Sequence, residues 1–161
     1  MAVNPSYALE KPDIKNLVLI KNPKIYKDVT FKNVNNKNVN LRDFKGKLVI
    51  LNFWATWCAP CKEEMPSLDA LQSNNSFNNL KIFPINIGQE DALKSKNFFK
   101  ELNIQHLSIY FDTPITLAKK FALRGVPTTI LLNREGKEFA RIIGSIDFND
   151  EKFINWLKFY D

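Results

Sequence analysis

The chain has 161 residues, 45% of them hydrophobic and 25% charged, with a formal net charge of +6. That length suits one domain able to bury roughly 70% of the surface its unfolded chain would expose. No stretch approaches the ~20 apolar residues of a transmembrane helix. Two cysteines and one histidine, His106, exclude a disulfide scaffold and leave a four-ligand metal site without a second pair.

Residues 1–23, with Pro5, Pro12 and Pro23, read as an irregular arm ahead of a domain over 24–161. Met1 to Leu9 lack a basic segment followed by an apolar one, so no intact secretion signal is expected. That fits a cytosolic protein or a mature one whose leader has been removed. Residues 1–47 hold ten Lys or Arg against four Asp or Glu, which accounts for the whole excess charge. This leading part reads as a solvated Lys- and Asn-rich segment, or as a basic arm near an anionic membrane surface. Its basic residues do not alternate with aromatics, so nucleic acid is not an expected partner.

Val29-Thr30-Phe31 and Val39-Asn40-Leu41, joined through Asn35-Asn36, read as a hairpin. Leu48 to Trp54 is almost continuously apolar, the mark of a central strand covered on both faces. A helix is expected from Cys58 to about Leu71, with Cys61, Met65 and Leu68 forming its buried stripe. Pro60 fits its first turn, and Pro66 should kink it. Leu80 to Ile87 reads as a strand, although Pro84 weakens a central placement.

Residues 91–102 suggest a helix burying Leu93, Phe98, Phe99 and Leu102, followed by a short strand over 108–111. Thr113-Pro114 reads as a helix start, with Thr113 as N-cap, and Arg124-Gly125 as its left-handed stop. Strands over 128–132 and 138–143 flank the turn Asn133 to Gly136. Asp147 and Asp150 open a last helix, whose stripe is Phe153, Trp156, Leu157 and Tyr160. The order βαβ, then αβ(α), then ββα predicts an α/β fold with a mixed sheet and helices on both faces.

Cys58 and Cys61 form the C-x-x-C of Trp57-Cys58-Ala59-Pro60-Cys61, where an apolar strand gives way to a helix. Free N–H groups and the dipole at a helix start favour a thiolate, so Cys58 is the expected nucleophile, on an exposed loop. Cys61, one turn on and facing inward, is placed to resolve a mixed disulfide. An inert cystine or two buried thiols is the structural alternative. A zinc site would need Cys58, Cys61, His106 and a carboxylate to converge. Glu64, three residues beyond Cys61, lies on the same side of the helix. A partly buried carboxylate there would exchange protons with the thiols; a solvated one would merely complement the helix start.

Phe53-Trp54-Ala55-Thr56-Trp57-Cys58-Ala59-Pro60-Cys61, with Pro66 and the distant Gly125-Val126-Pro127-Thr128, resembles the thioredoxin superfamily. Leu51 to Cys58, Lys62-Glu63-Glu64-Met65-Pro66 and the segment inserted near 88–112 are similar to its membrane-anchored, extracytoplasmic TlpA, ResA and CcmG branch. The resemblance covers about residues 25–161 and implies a thioredoxin-like fold with an N-terminal hairpin and a central αβ insertion. It implies a selective reductant of protein disulfides in the periplasm, serving cytochrome c maturation or copper-centre assembly. Electrons would come from a membrane thiol donor, with anchoring through a segment absent from this chain. No cofactor beyond the Cys58–Cys61 pair is implied, and a monomer is expected.

By the same resemblance, Pro127 is a cis proline facing the pair, and the Val126 backbone pairs with an extended substrate segment. Trp57, Ala59 and Pro60 join them as substrate-contacting residues, and Glu64 has an acid–base role. The sequence departs from thioredoxin at Asn52, where a neutral amide replaces a buried acid. Two other functions stay open: a disulfide oxidant or isomerase, and a metallochaperone binding copper through Cys58, Cys61 and Met65. A peroxidase is disfavoured because Thr56 stands at the wrong interval for a Thr-x-x-Cys site.

Overall fold

The computed structural model describes residues 10–161. Eight strands form one mixed sheet: β1 Leu17–Ile25, β2 Thr30–Asn33, β3 Asn38–Asn40, β4 Leu48–Trp54, β5 Leu80–Asn86, β6 Tyr110–Phe111, β7 Thr128–Leu132 and β8 Lys137–Ile143. Their spatial order is β1-β8-β7-β4-β5-β6-β2-β3. The helices are α1 Ala59–Gln72, α2 Ala92–Glu101, α3 Leu117–Lys120 and α4 Glu151–Leu157.

β4 is the axis of the sheet. It runs parallel to β5 on one side and antiparallel to β7 on the other. All seven of its residues are buried, which explains the unbroken apolar run. Leu48, Ile50 and Trp54 face a core that takes side chains from α1, α2 and α4. Val49, Leu51 and Phe53 face a second core closed by Val29, Phe31, Leu117 and Phe121. The sheet is therefore covered on both sides, more heavily on the face that carries α1. Trp54 is wedged against Phe98 and Phe99, with ring centroids 4.7 and 5.4 Å away.

Residues 17–23, expected to end an irregular arm, belong instead to β1, an edge strand antiparallel to β8. Pro23 misled because an edge strand does not need every N–H, and the pairing skips from Leu19 to Lys24. Residues 1–9 of that arm lie outside the described residues. Pro84 likewise sits in a central strand, opposite Asn52. The N–H of Ile82, two residues earlier, points away from β4 to Gln72 Oε1 at 2.7 Å, and β6 pairs only with Ile85 and Asn86. Pro84 thus turns its nitrogen to a stretch of β5 with no strand beside it. Gln72 fills that stretch, since its Nε2 also donates to the Leu80 carbonyl at 3.1 Å.

The helix expected at Thr113-Pro114 starts later, at Leu117, and Thr113–Pro114 is a cis peptide. The N-cap is Thr116, and the helix start is satisfied from further back by Asp112, whose buried carboxylate accepts the N–H groups of Thr116, Leu117 and Ala118. The chain leaves this short helix through Ala122 at φ 52°, so Gly125 is not the left-handed stop. Leu93, expected in the core, is 64% exposed because α2 turns only Ser95, Phe98 and Phe99 inward. The strand over 108–111 shrinks to Tyr110–Phe111. Asp69, buried on α1, accepts the N–H groups of Gln105, His106 and Leu107 at 2.7–3.1 Å and so fixes the loop after α2.

Candidate active site

β4 ends at Trp54, and Ala55-Thr56-Trp57 leads to Cys58, the N-cap of α1. The Cys58 sulfur accepts the N–H of Cys61 at 3.2 Å, which replaces one hydrogen bond that a helix start leaves open. Cys58 and Cys61 are joined as a disulfide with their Cα atoms 5.3 Å apart, inside the range such a bond spans. Cys61 is fully buried, as expected. Cys58, expected to be exposed, is only 5% exposed. The reason is its covalent partner: the sulfur turns inward to Cys61, while Trp57 beside it is 71% exposed and Ala59 and Pro60 also face solvent.

Val126–Pro127 is a cis peptide. β7 pairs with β4 so that Thr128 stands opposite Phe53. That register puts Val126–Pro127 at the end of β4 from which the chain runs to Cys58. The Pro127 carbonyl accepts the N–H of Gly144, and Thr128 Oγ1 donates to the Gly125 carbonyl at 2.7 Å. Among the described residues, neither the N–H nor the carbonyl of Val126 has a hydrogen-bond partner.

Glu64 is 2% exposed on the inner face of α1. Its Oε1 accepts from Asn52 Nδ2 at 2.8 Å, and its Oε2 accepts the Ile146 N–H at 3.3 Å. Burial pushes the carboxyl up to about 7, while the Asn52 and Ile146 donors pull it down. The group therefore changes charge near neutrality, one helical turn from the inner cysteine. A cleft lined by Ser67, Ser145, Ile146 and Asp147 reaches it from the surface. Asn52, noted in the sequence only as a lost acid, orients Glu64 and also donates to Thr129 Oγ1 at 3.0 Å. Nothing in the local sequence pairs positions 52, 64 and 129; the register of β4 against β7 does so.

The sequence also missed Glu90. Its carboxylate accepts the Thr56 N–H at 3.0 Å and the Thr56 hydroxyl, two residues before Cys58. Among the described residues, no group of three or more His, Cys, Asp or Glu side chains is arranged to hold a metal ion, so Cys58, Cys61, His106 and a carboxylate do not converge.

The thiol-disulfide oxidoreductase ResA of Bacillus subtilis is 34% identical over 112 residues, 70% of this chain and 62% of that protein. The ResA of Geobacillus thermodenitrificans is 30% identical over 125 residues, 78% of this chain and 71% of that protein. A DsbF homologue from Corynebacterium diphtheriae superposes with a TM-score of 0.72 at 25% identity, covering 88% of this chain and 92% of that one. The fold is thus thioredoxin-like, as the motifs implied. Against the first of these relatives the chain spans less than two thirds of their length. A model of the AhpC/TSA family matches residues 24–138. With most of the domain inside that match, the cysteine pair included, the chain belongs to the AhpC/TSA family.

Proposed function

We propose that this protein is a thiol–disulfide oxidoreductase that reduces disulfides in other proteins. The observation that carries the reading is the Cys58–Cys61 disulfide capping α1, with the Glu64 carboxyl buried behind it. In the reduced protein, the Cys58 thiolate attacks a substrate disulfide, forming a mixed disulfide and releasing one substrate thiolate. Cys61 gives its proton to the ionised Glu64 and attacks the Cys58 sulfur. The second substrate thiolate leaves, and the Cys58–Cys61 bond closes. A dithiol donor then returns two electrons to the pair, and no further cofactor enters the cycle.

The unpaired backbone of Val126 supports docking of an extended substrate segment beside the pair, with Trp57, Ala59 and Pro60 as its exposed border. The names of the ResA relatives support the reaction class. Similarity of residues 51–66 to the extracytoplasmic branch supports work outside the cytoplasm, with a membrane-bound thiol donor and attachment to the membrane. The same similarity supports service to cytochrome c or copper-centre assembly.

The test uses the reduced protein and a disulfide-linked model protein. Wild type reduces it, Cys58→Ser does not, and Cys61→Ser accumulates a mixed disulfide through Cys58. Wild-type protein that neither reduces the substrate nor forms the adduct refutes the reading.

A further inference from the structure

The segment between β5 and α2 is shaped around one contact with the redox loop. Asn86 is buried; its Oδ1 accepts the Gly88 N–H at 2.6 Å, and its Nδ2 donates to Ser95 Oγ at 2.8 Å. The Ile87 N–H reaches the Trp54 carbonyl at 3.0 Å, which lays the segment along the end of β4. Gln89 takes a left-handed φ of 56° and donates through Nε2 to the Asp112 carbonyl at 2.8 Å. These contacts deliver Glu90, whose two carboxylate oxygens take both donors of Thr56.

Gly88 gives a second, independent sign that the contact is built. Its φ is not left-handed, so conformation does not demand glycine there. Space does: a Cβ at position 88 would stand 2.5 Å from Glu90 Oε1 and 3.2 Å from the Ala55 Cβ. Any side chain there would have to push the Glu90 carboxylate off this position, against close contacts with Asn86 and Ala55 as well.

We propose that Glu90 is a positioning residue for the thiol chemistry, holding Ala55-Thr56-Trp57 so that the Cys58 sulfur and the exposed Trp57 keep a fixed aim. The proposal rests on the oxidoreductase reading of the same site. Thr56 has an N–H and a hydroxyl to satisfy beside a chain end of β4, and Glu90 satisfies both from an element 34 residues away. Without that carboxylate Ala55 stays packed in the core, but Thr56 loses both of its hydrogen bonds to a side chain. The loop then samples orientations in which the thiolate misses an incoming disulfide. The carboxylate also sets a negative charge beside the loop, which opposes thiolate formation when ionised.

Two variants separate these effects. Glu90→Gln keeps an oxygen for the Thr56 N–H and removes the charge. Gly88→Ala keeps the charge and displaces the carboxylate, because the side-chain end is what the new methyl group meets. Turnover of the model disulfide protein and the pH profile of Cys58 alkylation are measured for both, and for Glu90→Ala.

Glu90→Ala and Gly88→Ala are expected to lose about tenfold in turnover, in the range set by small misalignments of reacting groups. Glu90→Gln should recover most of that loss while its Cys58 profile moves to lower pH. Turnover within twofold of wild type in Glu90→Ala and Gly88→Ala, with superimposable alkylation profiles throughout, overturns the proposal. A wild-type protein inert toward disulfides removes instead the reading beneath it, a separate result from inert variants of an active protein.

Discussion

Replacing Glu64 by glutamine isolates the carboxyl buried behind the cysteine pair. Its pKa rises from 4.5 to about 7, chiefly through burial. At about 1.4 kcal/mol for each tenfold step in proton affinity, the rise corresponds to roughly 3 kcal/mol between the two protonation states. The folded state binds this proton more tightly than the unfolded chain. Glu64 therefore contributes its full stability below pH 4.5, and the contribution is lost as the pH climbs through about 7. Glutamine cannot ionise and carries no such dependence.

Oxidised protein is the right material, because its cysteines do not titrate. Urea unfolding of wild type and Glu64→Gln, followed by tryptophan fluorescence, gives a stability difference at pH 4 and at pH 8.5. Any fixed cost of the amide against the Ile146 N–H appears at both. The variant should gain about 3 kcal/mol on wild type between the two pH values. A difference that stays constant within about 0.5 kcal/mol would show that Glu64 ionises as freely as an exposed carboxyl, and the proton-transfer step assigned to it would fall.

Three more outcomes test the surrounding structure. Asn52→Leu removes the amide donor that favours the charged carboxyl, so the 13C-detected titration of Glu64 should move upward; an unchanged or lower midpoint contradicts the contact. Asp69→Ala strands three backbone N–H groups and should cost about 2–3 kcal/mol in urea unfolding, with Asp69→Asn recovering more than half. A loss below about 0.5 kcal/mol would mean that the loop after α2 is held by other contacts. Arg141→Met leaves the Glu138 side chain, 3% exposed, without its cation and takes a donor from the Phe121 carbonyl. About 3 kcal/mol of destabilisation is expected, and a neutral effect would show that Tyr26 alone suffices for Glu138.

What the sequence made legible was whatever a local pattern specifies. The continuous apolar run of β4, the stripe Cys61, Met65 and Leu68, and the Asn133 to Gly136 turn each follow from spacing within a few residues. The misreadings share the opposite property. A proline breaks a strand only where a neighbour needs the N–H it lacks, and which side of Pro23 or Pro84 has no neighbour is a matter of topology. Thr113-Pro114 looked like a helix start, but the true N-cap is Thr116, and the carboxylate that satisfies the helix start comes from Asp112, four residues before it. At the site, Cys58, Cys61 and Glu64 were readable from one helix. Asn52 and Glu90 were not, because one acts across the sheet and the other from a separate element.

Gln72 has a consequence beyond filling a gap beside Pro84. Unoccupied strand edges recruit foreign strands, and here one amide satisfies a donor and an acceptor of β5 as a neighbouring chain would. A single side chain thereby blocks a seam where misassembly could begin. It also pegs the last turn of α1 to the sheet, at the far end from the sulfurs. The helix is thus tied to the sheet through its last turn, while its first turn carries the sulfurs.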